Sequence, residues 1–194
     1  LTRRAVLTTL AGGLAAPALL SLSRADTGTP LLPAPLATAA PVTHEVTLEA
    51  KPHRMKLLGD DGPASTLWTY NDELYPILRL KRGDRLRATL KNGLAEHTSI
   101  HWHGVRVPND MDGVQYVTQP PVEPGQSFLY DFTIPDTGTF FFHPHCNESG
   151  QVGHGLVGVV IVEGDESRPF DHELVLVAKD WRLDPKGGFL PFST

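Results

Sequence analysis

Residues 136–145 read Asp136-Thr137-Gly138-Thr139-Phe140-Phe141-Phe142-His143-Pro144-His145. Asp-Thr-Gly is turn chemistry, the aromatic run behind it suits a half-buried strand, and two histidines close the stretch. The same turn-then-strand unit repeats outward in both directions. β-Branched or alternating runs occupy Thr43 to Leu48, Thr66 to Tyr70, Ile77 to Leu80, Arg85 to Leu90, Ser99 to His103, Phe128 to Ile134, Leu156 to Val162 and Glu173 to Ala178. Between them stand Gly59-Asp60-Asp61-Gly62, Arg82-Gly83-Asp84, Asn92-Gly93 and Pro124-Gly125, all suited to tight turns. No stretch carries ten residues of helical amphipathicity. Many short strands without intervening helices predict an all-β domain over residues 42–180, an antiparallel Greek-key sandwich or barrel.

Composition bounds the rest. The chain has 194 residues, 40% hydrophobic content and a formal net charge of −5, which suits one domain with a buried core plus appendages. Without a Lys/Arg run or aromatic residues interleaved with basic clusters, nothing marks a nucleic-acid partner. A single cysteine, Cys146, excludes an intrachain disulfide framework. At the start, Thr2-Arg3-Arg4 precedes an apolar run from Ala5 to Leu22 and the small-x-small triplet Ser23-Arg24-Ala25. Residues 1–25 are therefore expected to be a secretion signal of twin-arginine type, sending the protein to the periplasm or otherwise out of the cytoplasm. Gly12, Gly13 and Pro17 make that run poor for stable membrane insertion. Residues 26–41, with Pro30, Pro33, Pro35 and Pro41, read as a Pro/Ala-rich linker. Residues 181–194 read as the start of a second linker, leading to a domain past Thr194.

The chemistry sits in His101-Trp102-His103 and His143-Pro144-His145. On a strand, residues i and i+2 share a face, so each pair aims two imidazoles the same way while Trp102 points to the opposite side as packing. Imidazole-only donors suit copper, zinc, iron or nickel, and disfavour calcium and cysteine-rich zinc sites. Nine histidines in 194 residues give about 0.4 such pairs by chance, so the pairs persuade only through their context.

That context resembles a known family. His101-Trp102-His103-Gly104, Val107-Pro108, Met111-Asp112-Gly113-Val114, Thr118-Gln119-Pro120-Pro121-Val122, Pro124-Gly125 and Gly138 through His145 look like the amino-terminal plastocyanin-like (cupredoxin) domain of multicopper oxidases, the laccase-like and copper-resistance oxidases. The match spans roughly Lys81 to Glu163. The resemblance implies a domain that donates half of the eight histidines around a trinuclear copper cluster, where dioxygen is reduced to water by four electrons. It implies His101 as a ligand of the type 2 copper and His103, His143 and His145 as type 3 ligands. Asp112 matches the family's outer-sphere carboxylate and proton relay; its plainer reading is an Asp-Gly turn residue.

The family's type 1 copper needs two histidines and a cysteine, usually in a late His-Cys-His motif that also completes the trinuclear cluster, and this sequence lacks that motif. That copper, and the reducing substrate beside it (a phenol, aromatic amine or metal ion), are expected outside this chain, on further cupredoxin domains of the same chain or another subunit. Alternatives are a copper-binding or copper-resistance module without turnover, and a nitrite reductase-like domain in which Cys146 and His154 form a type 1 site of their own. Cys146 also reads as a small buried hydrophobe. His44, His53, His97 and His172 read as surface or turn residues.

Overall fold

The computed structural model describes residues 40–164 and 171–192. The expected signal peptide 1–25 and all but the last two residues of the linker 26–41 lie outside the described residues. The compact unit, delimited by its internal contacts, runs from Ala39 to Thr194. It is built from β1 (Thr43–Lys56), β2 (Ala64–Tyr70), β3 (Ile77–Lys81), β4 (Arg85–Asn92), β5 (His101–His103), β6 (Ser127–Thr133), β7 (Gly138–His143), one short helix α1 (Glu148–His154) and β8 (Gly158–Glu163), with a 3-10 turn at Asn109–Met111. Two four-stranded sheets, ordered β2-β1-β4-β6 and β3-β8-β7-β5, face each other as the two layers of a cupredoxin β-sandwich.

Alternation explains the layers. In β4, Leu86, Ala88 and Leu90 are buried and the residues between them are not, so one face makes core and the other meets water. They pack with Leu48, Ala50, Tyr130 and Phe132 from their own sheet and Leu80, Trp102, Phe142, Val160 and Val162 from the other. The sandwich departs from the expected antiparallel pattern at two of its six pairings: β1 runs parallel to β4 and β3 to β8. Parallel neighbours require long crossovers, and here each connection passes from one sheet to the other.

The turn Arg82-Gly83-Asp84 makes one such passage, between β3 and β4. Asp84 is 4% exposed. Its carboxylate accepts the N–H groups of Val42 and Lys81, each at 2.9 Å, and lies 2.8 Å from His44 Nε2. One side chain thus ties the entry of β1 to both sheets.

Three expected segments come out differently. β1 continues through Pro52 to Lys56, pairing with all of β2. Residues 148–154 form a helix, too short to announce itself by periodicity. Glu173 to Ala178 is not a strand: its backbone joins no strand ladder among the described residues, and Leu174 and Leu176 are 79% and 81% exposed. Beyond it, Asp180 to Phe192 folds back rather than trailing away. Leu183 bridges Phe189, and Phe189 and Phe192 pack on the His154 ring at 4.5 and 4.8 Å.

Candidate metal centre

β5 is only three residues long, and antiparallel pairing on β7 decides what it presents. The register sets His101 opposite His143, Trp102 opposite Phe142 and His103 opposite Phe141. Trp102 and Phe142, their rings 5.4 Å apart, point into the core and are almost wholly buried. The histidines therefore share the outward face, as the period of two requires.

His101 sits at the middle of the group. Its ring centroid is 5.6 Å from His103, 5.5 Å from His143 and 5.6 Å from His145, with planes inclined by 78–82°. His145 lies just past the end of β7; its N–H donates to Ser99 Oγ at 3.2 Å, and its carbonyl accepts from Gln115 Nε2 at 2.9 Å. Donor nitrogens of His101, His103 and His143 all lie within 4.8 Å of one another, and among the described residues this is the one such set of three or more metal-binding groups. His145 stands outside that set.

Outer hydrogen bonds fix which nitrogen each ring offers. His101 Nδ1 donates to the Asp112 carbonyl at 2.8 Å and His143 Nδ1 to the Pro144 carbonyl at 2.9 Å, leaving both Nε2 atoms as acceptors facing inward. His103 is turned the other way, with Nδ1 3.3 Å from His143 Nε2. Two imidazole nitrogens held about 2.0–2.1 Å from one tetrahedral first-row ion lie about 3.3 Å apart. The donor set thus fits a metal that takes imidazole, as copper does. Burial pushes the His143 imidazole below its ordinary pKa, against the opposing pull of the Pro144 carbonyl and the Glu148 charge, so the ring stays neutral as a ligand must. Phe141, 40% exposed, stacks on His103 at 4.3 Å and lies 5.2 Å from His143, an apolar flank to the site.

Asp112 reaches the site twice. Besides its carbonyl, its carboxylate Oδ1 lies 3.4 Å from the same His101 Nδ1. It follows the 3-10 turn Asn109–Met111 and precedes Gly113, whose φ of +78° brings the backbone against the Ile100 carbonyl.

Cys146 and His154 do not meet as a copper pair. Cys146 is fully buried, its Sγ 3.6 Å from Ser99 Oγ, and burial pushes its thiol pKa up, the opposite of what a thiolate ligand needs. His154 stacks on Trp68 at 4.5 Å and 14°, with Nδ1 donating to the Gly150 carbonyl at 2.7 Å. The nitrite reductase-like alternative is therefore not favoured. Of the remaining histidines, His44 pairs with Asp84 and His53 with Asp72, both away from the cluster.

A family model described as multicopper oxidase matches residues 53–167, more than half of the chain. This chain belongs to the multicopper oxidases. It is 37% identical over 142 residues to multicopper oxidase MmcO of Mycobacterium tuberculosis, covering 72% of this chain and 27% of that protein. Copper resistance protein A of Escherichia coli is 39% identical over 108 residues, 55% of this chain and 17% of that protein. Among solved structures, a multi-copper oxidase from Pseudomonas thermotolerans superposes with a TM-score of 0.75 at 44% identity, covering 80% of this chain and 38% of that one. The chain thus spans well under half the length of these relatives.

Some of this multicopper oxidase site was invisible in the sequence. Glu148, whose Oε1 lies 3.4 Å from His143 Nδ1, comes from the helix that periodicity could not reveal. The carbonyls of Asp112 and Pro144 have no side-chain signature. Gly113 did carry a signal, the Asp-Gly pair inside the family motif.

Proposed function

We propose that this domain supplies half of the protein ligands of a trinuclear copper cluster, with His101 on the type 2 copper and His103, His143 and His145 on the type 3 pair. One observation carries the reading: three imidazoles converge within 4.8 Å, two of them locked by outer hydrogen bonds that turn Nε2 inward. When bound, copper supplies one-electron chemistry through which dioxygen is reduced to water with four electrons drawn from a reducing substrate.

The chain's own residues have narrower tasks. Asp112 holds His101 through its carbonyl, and its carboxylate, 3.4 Å from His101 Nδ1, would relay a proton during oxygen reduction. Burial keeps the His143 imidazole below its ordinary pKa, which favours the neutral ring that copper binds. A type 1 copper and the site for the reducing substrate, a phenol, an aromatic amine or a metal ion, belong to further cupredoxin domains of the same chain or another subunit. Arg3-Arg4 and the apolar run after them support export by a twin-arginine route, and no helix among the described residues is long and apolar enough to cross a membrane.

Copper titration tests the ligand assignment. The chain alone should bind copper without a strong absorption near about 600 nm, because a thiolate-bound type 1 site is absent from the donor set. His101→Ala, His103→Ala and His143→Ala should each lower that binding by tenfold or more. Joined to its partner domains, the protein should consume one dioxygen per four electrons and lose that activity with His103→Ala. Unchanged copper binding in all three variants would sink the assignment.

A further inference from the structure

The outer nitrogens of His101 and His143 are treated alike. Each Nδ1 has a backbone carbonyl within hydrogen-bond length, Asp112 at 2.8 Å and Pro144 at 2.9 Å. Each also has a carboxylate oxygen at 3.4 Å, Asp112 Oδ1 for His101 and Glu148 Oε1 for His143. Asp112 stands in a motif of the family; Glu148 stands in none.

Glu148 is nevertheless placed with care. It opens α1, and α1 is pinned from beneath by Gln151, which is fully buried. Thr98 Oγ1 donates to Gln151 Oε1 at 2.7 Å, while Gln151 Nε2 donates to Glu96 Oε1 at 2.7 Å and to the His97 carbonyl at 2.9 Å. Those partners immediately precede Ser99 and β5, so the helix and the ligand strand are held in one frame. The Glu148 side chain is 54% exposed and forms no ion pair with a lysine or arginine among the described residues. Its charge faces the outer edge of His143.

We infer that Glu148 is a positioning residue for His143, holding the Nδ1–H tautomer and directing Nε2 at the metal, as the counterpart of Asp112 on His101. A carboxylate on the far side of a ligating imidazole fixes the ring and raises its basicity, and losing such a partner typically costs about 10–100-fold in metal affinity. At 3.4 Å the carboxylate supports the Pro144 hydrogen bond rather than replacing it, so the effect belongs at the lower end of that range. The inference rests on the copper-site reading above.

The test uses the chain as described, with Glu148→Ala and Glu148→Gln, the second keeping the length of the side chain and removing its charge. Two quantities are read: cupric affinity by competition with a chelator, and the ring 15N and Nδ1–H resonances of His143 in the metal-free chain, with those of His101 as internal reference. The expected result is an affinity about tenfold lower for the alanine variant, a smaller loss for glutamine, and a displaced His143 Nδ1–H signal with that of His101 unmoved. A merely structural role for Glu148 would lower the melting temperature without singling out His143. Copper affinity and His143 resonances identical to the parent in both variants would overturn the inference. Should the chain take up no copper at these histidines, the copper reading fails separately, and the metal-free His143 signal still decides for or against the Glu148 contact.

Discussion

A β-carbon at Gly113 would overlap the carbonyl of Ile100, and its φ of +78° lies where side chains are strained. Only glycine lets the chain double back so that Asp112 presents its carbonyl to His101. Gly113→Ala should cost about 1–3 kcal/mol and weaken copper binding with it. Gly59→Ala is the contrast: φ is +91° but nothing lies within 4 Å of its β-carbon. It should lower stability without touching copper affinity; equal copper losses in the two variants would refute the role given to Gly113. Trp102, 1% exposed among Tyr130, Phe132 and Phe142, is a core residue by the same accounting, and Trp102→Ala should cost about 3–5 kcal/mol in a denaturant titration. The shared face of His101 and His103 and the inward Trp102 were legible because a period of two needs nothing but the strand; His145, past the end of β7, lies beyond that argument. What anchors the rings was not legible, because main-chain carbonyls look the same at every position.

Elements were readable where burial follows alternation. β4, β6 and β7 lie close to their expected bounds because one face of each is core. β1 overran its expected end because Pro52, His53, Arg54 and Lys56 carry no apolar signal; its last half is held by backbone pairing to β2. Glu173 to Ala178 shows the converse, since alternation reports a propensity for strand and not a partner to pair with. Asp84 adds an element-scale prediction. Burial pushes its carboxyl up, but the N–H groups of Val42 and Lys81 and the His44 ring favour the charged form and hold it below its ordinary value. A depressed carboxylate stabilises the fold above its unfolded pKa of about 3.9, and that contribution is lost as pH falls through the lower, folded value. Asp84→Asn should therefore cost about 1–3 kcal/mol at neutral pH and flatten the loss of stability below about pH 4. Denaturant titrations across that range would expose an unchanged slope, which would exclude Asp84 as its source.

At the scale of the molecule, the apolar surface is unevenly spread. Tyr116 and Val117 are 75% and 77% exposed, and Leu174 and Leu176 more so. Exposed apolar residues beside an unpaired extended stretch invite association. On its own the chain should self-associate in sedimentation velocity, and the double substitution Leu174→Lys and Leu176→Lys should reduce this without lowering the melting temperature. A parent chain that stays monomeric at high concentration would show that this stretch is not adhesive.

Trp102 lies one peptide from both His101 and His103, with its indole in the dry interior and the two imidazoles on the other side of the same short strand. A paramagnetic cupric ion quenches indole emission at such range. The protein therefore contains its own optical gauge: Trp102 should glow at short wavelength, as an indole shielded from water does, and dim as the ion arrives. Trp68, stacked on His154, and Trp181, beneath the Lys179 ammonium, supply the steadier background light. Occupancy can then be followed in a fluorimeter with no label attached.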